Sequence, residues 1–180
     1  MTKIQELQRI STQVRRDIIR MVTNAKSGHP GGSMSSADFL TALYFGVMKH
    51  NPAEWTREGK GQDVFILSAG HLTPVYYSIL SRAGYFPVSE LSTFRIFGTR
   101  LQGHPCVETG LPGIFQASGS LGQGLSAAAG IALGKKLDKE TENVYVMLGD
   151  GECEEGQVWE AAMFATHQKI DNLIAMIDWN

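Results

Sequence analysis

Ile4, Leu7, Ile10, Val14, Ile18 and Val22 recur at spacings of three and four, with Arg15, Arg16 and Arg20 between them. This period predicts an amphipathic helix over residues 4–25, apolar toward a core and basic toward water. The block Ser27-Gly28-His29-Pro30-Gly31-Gly32 is expected to break it, because glycine and proline interrupt helices most strongly. A second helix is predicted over 36–48, capped by Ser35, with Phe39, Leu40, Leu43 and Val47 along one face.

The pattern then changes. Asp63-Val64-Phe65-Ile66-Leu67-Ser68 is a short continuous apolar run, the mark of a strand covered on both faces. Ala69-Gly70-His71 leads into a helix over 73–83, with Pro74 tolerated in its first turn. Residues 98–119 read as a long functional loop. A helix rich in Ala and Gly follows over 121–137, then a strand over 143–148, a helix over 157–168 and a strand over 173–177. Strand, glycine turn and helix thus occur twice before a third strand. This order predicts an α/β fold, a parallel sheet flanked by helices. Ligands of such sheets gather at the carboxyl ends of the strands, and His71, Asp150 and Asn180 each follow one. With no repeat, low-complexity tract or linker, residues 1–180 read as part of one domain.

Composition narrows the classes. The 180 residues are 43% hydrophobic, enough for one α/β core. A net charge of −2 without a basic stripe argues against nucleic acid as a partner. No apolar stretch suits a membrane-spanning helix, and the polar N-terminus has no signal-peptide core. The two cysteines, Cys106 and Cys153, form no CxxC pair, which argues against a disulfide framework or zinc and fits a reducing cytoplasm.

Gly149-Asp150-Gly151 follows a buried strand. Its glycines let backbone approach something large, Asp150 offers a hard carboxylate oxygen, and the turn amides suit phosphate. Asn180, after the next strand, offers a second hard oxygen. Two such ligands fit Mg²⁺ or Ca²⁺ on a diphosphate better than zinc. Alone, GDG is most simply a tight turn; with the strand–helix–strand spacing it becomes a site. Three histidines stand beside glycine in loops, in Gly28-His29-Pro30-Gly31, Gly70-His71 and Gly103-His104-Pro105. Any one of them is most simply a surface turn residue.

GDGxxxEG with a strand-closing Asn about thirty positions later resembles the diphosphate-binding motif of thiamine-diphosphate enzymes. Together with the three histidines and Gly119-Ser120-Leu121-Gly122-Gln123-Gly124, it resembles transketolase, specifically the N-terminal, diphosphate-binding module or the N-terminal subunit of a split enzyme. The resemblance spans essentially the whole chain. It implies that Asp150 and Asn180 hold the metal, with Gly151 beside the diphosphate and a further ligand beyond residue 180. It also implies that His29 contacts the sugar, His71 the diphosphate and His104 the donor hydroxyls, while the Gly119, Ser120 and Leu121 backbone meets the thiamine. Transketolases usually carry Pro where Ser120 stands. Glu155 matches a glutamate that links two cofactor sites near a subunit interface, and reads equally well as an acid favoured by the helix dipole.

The implied activity is thiamine-diphosphate-dependent transfer of a two-carbon ketol unit from a ketose phosphate to an aldose phosphate. The glutamate that activates the cofactor would come from a pyrimidine-binding module or C-terminal subunit, so a homo- or hetero-oligomer is expected. On this view the chain is a fragment or one part of a split transketolase. Dihydroxyacetone synthase shares the SGHPG and GHP motifs and stays open, as does a non-catalytic assembly module. Glu152 and Glu154 are expected only to favour the helix start. Cys153, His50 and His167 are expected to be passive, and Trp55, Trp159 and Trp179 to pack.

Overall fold

The computed structural model describes residues 2–179. Helix α1 spans Lys3–Ala25 and opens on a capping box. In it the Gln5 amide donates to Thr2 Oγ1 at 3.3 Å and the Thr2 amide donates to Gln5 Oε1 at 2.9 Å, occupying donors that a helix start leaves free. Val14 and Ile18 are buried as their spacing predicts, whereas Ile4 in the first turn stays 68% exposed. Asp17 is buried beside them and accepts from Ser78 Oγ at 2.8 Å and Arg82 Nε at 2.6 Å.

Lys26 closes α1 in a left-handed conformation. Gly28 follows at φ 137°, where an added Cβ would lie 3.0 Å from Val22 Cγ2; the turn requires glycine. The break is shorter than expected. Helix α2, Pro30–Ser35, starts at Pro30 and includes Gly31 and Gly32, because proline's missing N–H costs nothing in a first turn. Helix α3 covers Ala37–Ala42 and widens into a π-helical turn at Leu43–Val47. The helix expected over 36–48 is therefore divided, and Ser35 does not cap it. Its hydroxyl donates to Gly32 O and to Asp178 Oδ2. Leu40 and Leu43 are buried, but Val47 is 60% exposed, past the wider turn, and Phe39 is 39% exposed because α3 buries the face of Ala37, Leu40 and Thr41 instead.

Strands β1 (Val64–Leu67), β2 (Val144–Gly149) and β3 (Leu173–Asp178) form one parallel sheet in the order β1-β2-β3. Val64 lies opposite Val144, Val144 opposite Leu173, and Gly149 opposite Asp178. Helices α4 (Thr73–Arg82), α5 (Gly124–Leu137) and α6 (Gly156–His167) complete the order. Successive strand side chains point to opposite faces. Phe65, Leu67, Tyr145 and Met147 join a core with α1, α3 and α4, while Val64, Ile66, Val146 and Leu148 join another with α5 and α6. Covering on both sides explains the uninterrupted apolar runs.

Helix α5 starts later than the expected residue 121. Gly124 sits so close to the end of β1 that an added Cβ would be 2.7 Å from Ser68 Cα. The loop over 98–119 is irregular as expected, apart from a short turn at Val107–Thr109. Tyrosines of α4 pin it, Tyr76 donating to Gly113 O at 2.7 Å and Tyr77 to Gln102 O at 3.0 Å. Trp55 packs on Phe115 with ring centroids 5.8 Å apart, as expected. Trp159 and Trp179 do not pack: they are 61% and 85% exposed, on the outer side of α6 and past β3, where no described element covers them. His50 is structural, placed between Tyr44 O at 2.8 Å and Tyr85 OH at 3.2 Å. No helix among the described residues is long and apolar enough to cross a membrane.

Candidate functional site

A pocket of about 390 Å³ opens at the carboxyl ends of β1 and β2, the edge at which the topology gathers ligands. The turn from Gly28 to Gly32 forms one wall, His71 and Leu72 a second, and Gly149 to Glu152 a third, with Leu121 and Asp178 at its margins. Side chains added at Gly31 or Gly151 would meet nothing within 4 Å, so these positions leave bare backbone toward open space.

His29 and His71 meet edge to face in this pocket, with ring centroids 5.1 Å apart and planes at 73°. Burial, then the His29 ring, pushes His71 below the ordinary imidazole range, with the Glu152 carboxylate pulling weakly the other way. His104 is lowered too, by burial, then by the Arg95 guanidinium and His29. The lowering favours the neutral form of both rings, which can donate from one nitrogen and accept at the other.

Glycines bring the third histidine to the others. A Cβ at Gly70 would lie 2.7 Å from the backbone nitrogen of Gly119, and one at Gly119 would lie 3.2 Å from the His104 ring. The His71 turn, the Gly119 backbone and His104 are thus layered on one another. Arg95, in a left-handed conformation at φ 59°, donates to Ser27 Oγ at 2.6 Å and packs flat against Gly103. It bridges the loops that carry His29 and His104, and nothing in its local sequence signals this.

Asp150, just past β2, is half-buried at the pocket, and its amide donates to Asp178 O at 3.2 Å. Gly151 lines the same wall. Ser120 and Leu121 are exposed beside Gly119, with Leu121 reaching the pocket. Glu155 is exposed at the start of α6, its Cβ so close that Gly122 has room for no side chain. Asn180 lies outside the described residues.

Glu152 corrects its expectation. The short turn Gly151–Glu154 carries its side chain inward between the ends of β1 and β2, where it is 2% exposed. It accepts from Ser68 Oγ, from the Gly122 amide at 2.8 Å and from the Gly149 amide at 3.0 Å. A hydrogen bond to a charged group contributes about 1.5–3 kcal/mol, more than the ~0.3–1 kcal/mol of a dipole contact at a helix start; bracing outweighs the expected effect. Cys153 is passive, its thiol pushed up by burial and then by the carboxylates of Glu152 and Asp150.

The donors at the pocket are carboxylate oxygen, imidazole nitrogen and backbone, without a thiolate. That chemistry fits a diphosphate with a hard cation. Among the described residues no group of three or more His, Cys, Asp or Glu could hold a metal alone, so a cation here needs other oxygens beside Asp150.

Residues 7–180 match the family described as transketolase, thiamine diphosphate binding domain. The chain belongs to that family. It is 43% identical over 181 residues to a 6-deoxy-6-sulfo-D-fructose transketolase subunit of a Clostridium species, covering 96% of this chain and 64% of that protein. It is 40% identical to one subunit of the apulose-4-phosphate transketolase of Phocaeicola vulgatus, covering 99% of this chain and 62% of that one. Campylobacter jejuni transketolase superposes with a TM-score of 0.91 at 34% identity, over 99% of this chain and 29% of that chain. The chain therefore spans just under two thirds of the subunit relatives and less than a third of that longer transketolase. The thiamine-diphosphate-binding α/β fold and the transketolase resemblance both hold.

Proposed function

We propose that this chain supplies the diphosphate-binding half of a transketolase site, completed by a C-terminal subunit or pyrimidine-binding module in a homo- or hetero-oligomer. The observation that carries this reading is the meeting of His29, His71 and Asp150 in one glycine-walled pocket at the strand ends. Thiamine diphosphate, once bound, supplies the carbon nucleophile that carries a two-carbon ketol unit from ketose to aldose. Asp150 and Asn180 hold Mg²⁺, or Ca²⁺ in its place, and Gly151 and His71 meet the diphosphate. The backbone of Gly119, Ser120 and Leu121 would hold the thiamine.

His29 and His104 orient the donor hydroxyls and move protons as neutral imidazoles. Glu155, exposed in the single chain, would join a partner's groups at an interface. The subunit relatives are named for a sulfo sugar and a sugar phosphate, so the donor is an anionic ketose. Two free cysteines suit a reducing, cytoplasmic setting.

Asp150→Ala in the complete enzyme tests the reading. Loss of Mg²⁺-dependent thiamine diphosphate binding in calorimetry is the expected result. Unchanged binding removes the metal assignment, and failure of the wild type to bind removes the cofactor itself. Ketol transfer only to acceptors other than aldose phosphates would favour dihydroxyacetone synthase chemistry, and binding without turnover a non-catalytic module.

A further inference from the structure

Glu152 borders the pocket, yet protein donors occupy both of its carboxylate oxygens. Oε1 accepts from Ser68 Oγ and from the Gly122 amide at 2.8 Å, and Oε2 accepts from the Gly149 amide at 3.0 Å. Ser68 Oγ accepts in turn from the Gly124 amide at 3.1 Å. At 2% exposure the side chain is out of water, and no Lys or Arg pairs with it among these contacts. A carboxylate is buried this way only where its hydrogen bonds are well satisfied.

The donors come from three stretches of chain that are far apart in sequence. Ser68 directly follows β1, two residues before Gly70-His71; Gly122 directly follows Gly119–Leu121; Gly149 ends β2 directly before Asp150. Each of the three residues lies within three positions of residues assigned above to the cofactor. No other described side chain bonds to all three. We propose that Glu152 is a positioning residue that holds these three cofactor-contacting stretches in their binding arrangement before the cofactor arrives. It acts through them and touches neither cofactor nor sugar. A neutral side chain of the same shape cannot replace it, because an amide turns an N–H toward donors that need an acceptor.

The inference rests on the cofactor reading, and the experiment separates the two. In the complete enzyme, thiamine diphosphate affinity with Mg²⁺ is measured by calorimetry for wild type, Glu152→Gln and Ser68→Ala, each checked for folding by circular dichroism. Glu152→Gln is expected to weaken the cofactor by about tenfold or more while kcat at saturating cofactor changes less than about threefold. Without cofactor, amides of residues 119–124 and 149–151 should exchange hydrogen faster than in the wild type. Ser68→Ala, which keeps the carboxylate, should shift affinity in the same direction by less, and serves if Glu152→Gln does not fold. Wild type that fails to bind thiamine diphosphate overturns the cofactor reading. Wild type that binds, with variants of equal affinity and only a lower Tm, overturns the positioning role. Unchanged affinity with a large fall in kcat overturns it as well.

Discussion

The guanidinium of Arg95 adds to burial in lowering His104 below the ordinary imidazole range. Arg95→Gln is therefore expected to raise the His104 pKa toward about 6.5, read by NMR titration of the ring. A ring that titrates unchanged would leave burial and His29 as sufficient causes. The sign for stability follows from linkage. A histidine lowered in the folded state binds fewer protons folded than unfolded, so His71 and His104 favour folding above about 6.5 and oppose it as pH falls through their lowered values. Arg95→Gln should soften that acid loss. His29, His71 and His104 are legible as candidates from sequence because glycine beside a loop histidine is a local pattern. Glu152 was not: an acid near a helix start reads the same whether it points to water or between two strands. Arg95 had no local signal at all.

Two glycines of α5 separate what an element tolerates from what its neighbours allow. Gly124 faces Ser68, and an added Cβ would lie 2.7 Å from Ser68 Cα, whereas one at Gly130 meets nothing within 4 Å. Alanine favours a helix over glycine by about 0.5–1 kcal/mol, while overfilling a packed contact costs about 1–3 kcal/mol. Gly130→Ala should therefore stabilise and Gly124→Ala destabilise, measured by urea unfolding. Equal effects would mean that α5 can retreat from β1. The three strands and the helices α1, α4, α5 and α6 are legible in type and order, with ends off by a few residues, whereas α2 falls where a break is expected. The larger error, the helix expected over 36–48, arose because periodicity does not register a π-helical turn or that Pro30 can start a helix.

At the scale of the molecule, β1 and β2 are covered on both faces while β3 is partly open and α6 is covered on one side. Trp159 and Met163, one turn apart, are 61% and 66% exposed on its outer side. Large apolar side chains exposed side by side favour association. The chain by itself is expected to self-associate, and Trp159→Glu with Met163→Glu should return it to monomer in analytical ultracentrifugation. An unaltered size distribution would place the association on another surface. In the proposed complex the same side chains would be covered by a partner, near the exposed Glu155.

Sequence alone determined the alternation of strands and helices, the edge where the candidate pocket opens, and the chemical types offered there, because each is written in local spacing. Apolar period sets which face turns inward, and glycine beside Asp or His marks the loops that line the candidate pocket. Only the tertiary structure decided what lies opposite each face. It set Asp17 against Arg82 and Ser78, laid Gly70 on Gly119, and turned Glu152 inward to Ser68, Gly122 and Gly149. Those contacts join residues distant along the chain, and no local pattern specifies a partner that arrives only when the chain has closed.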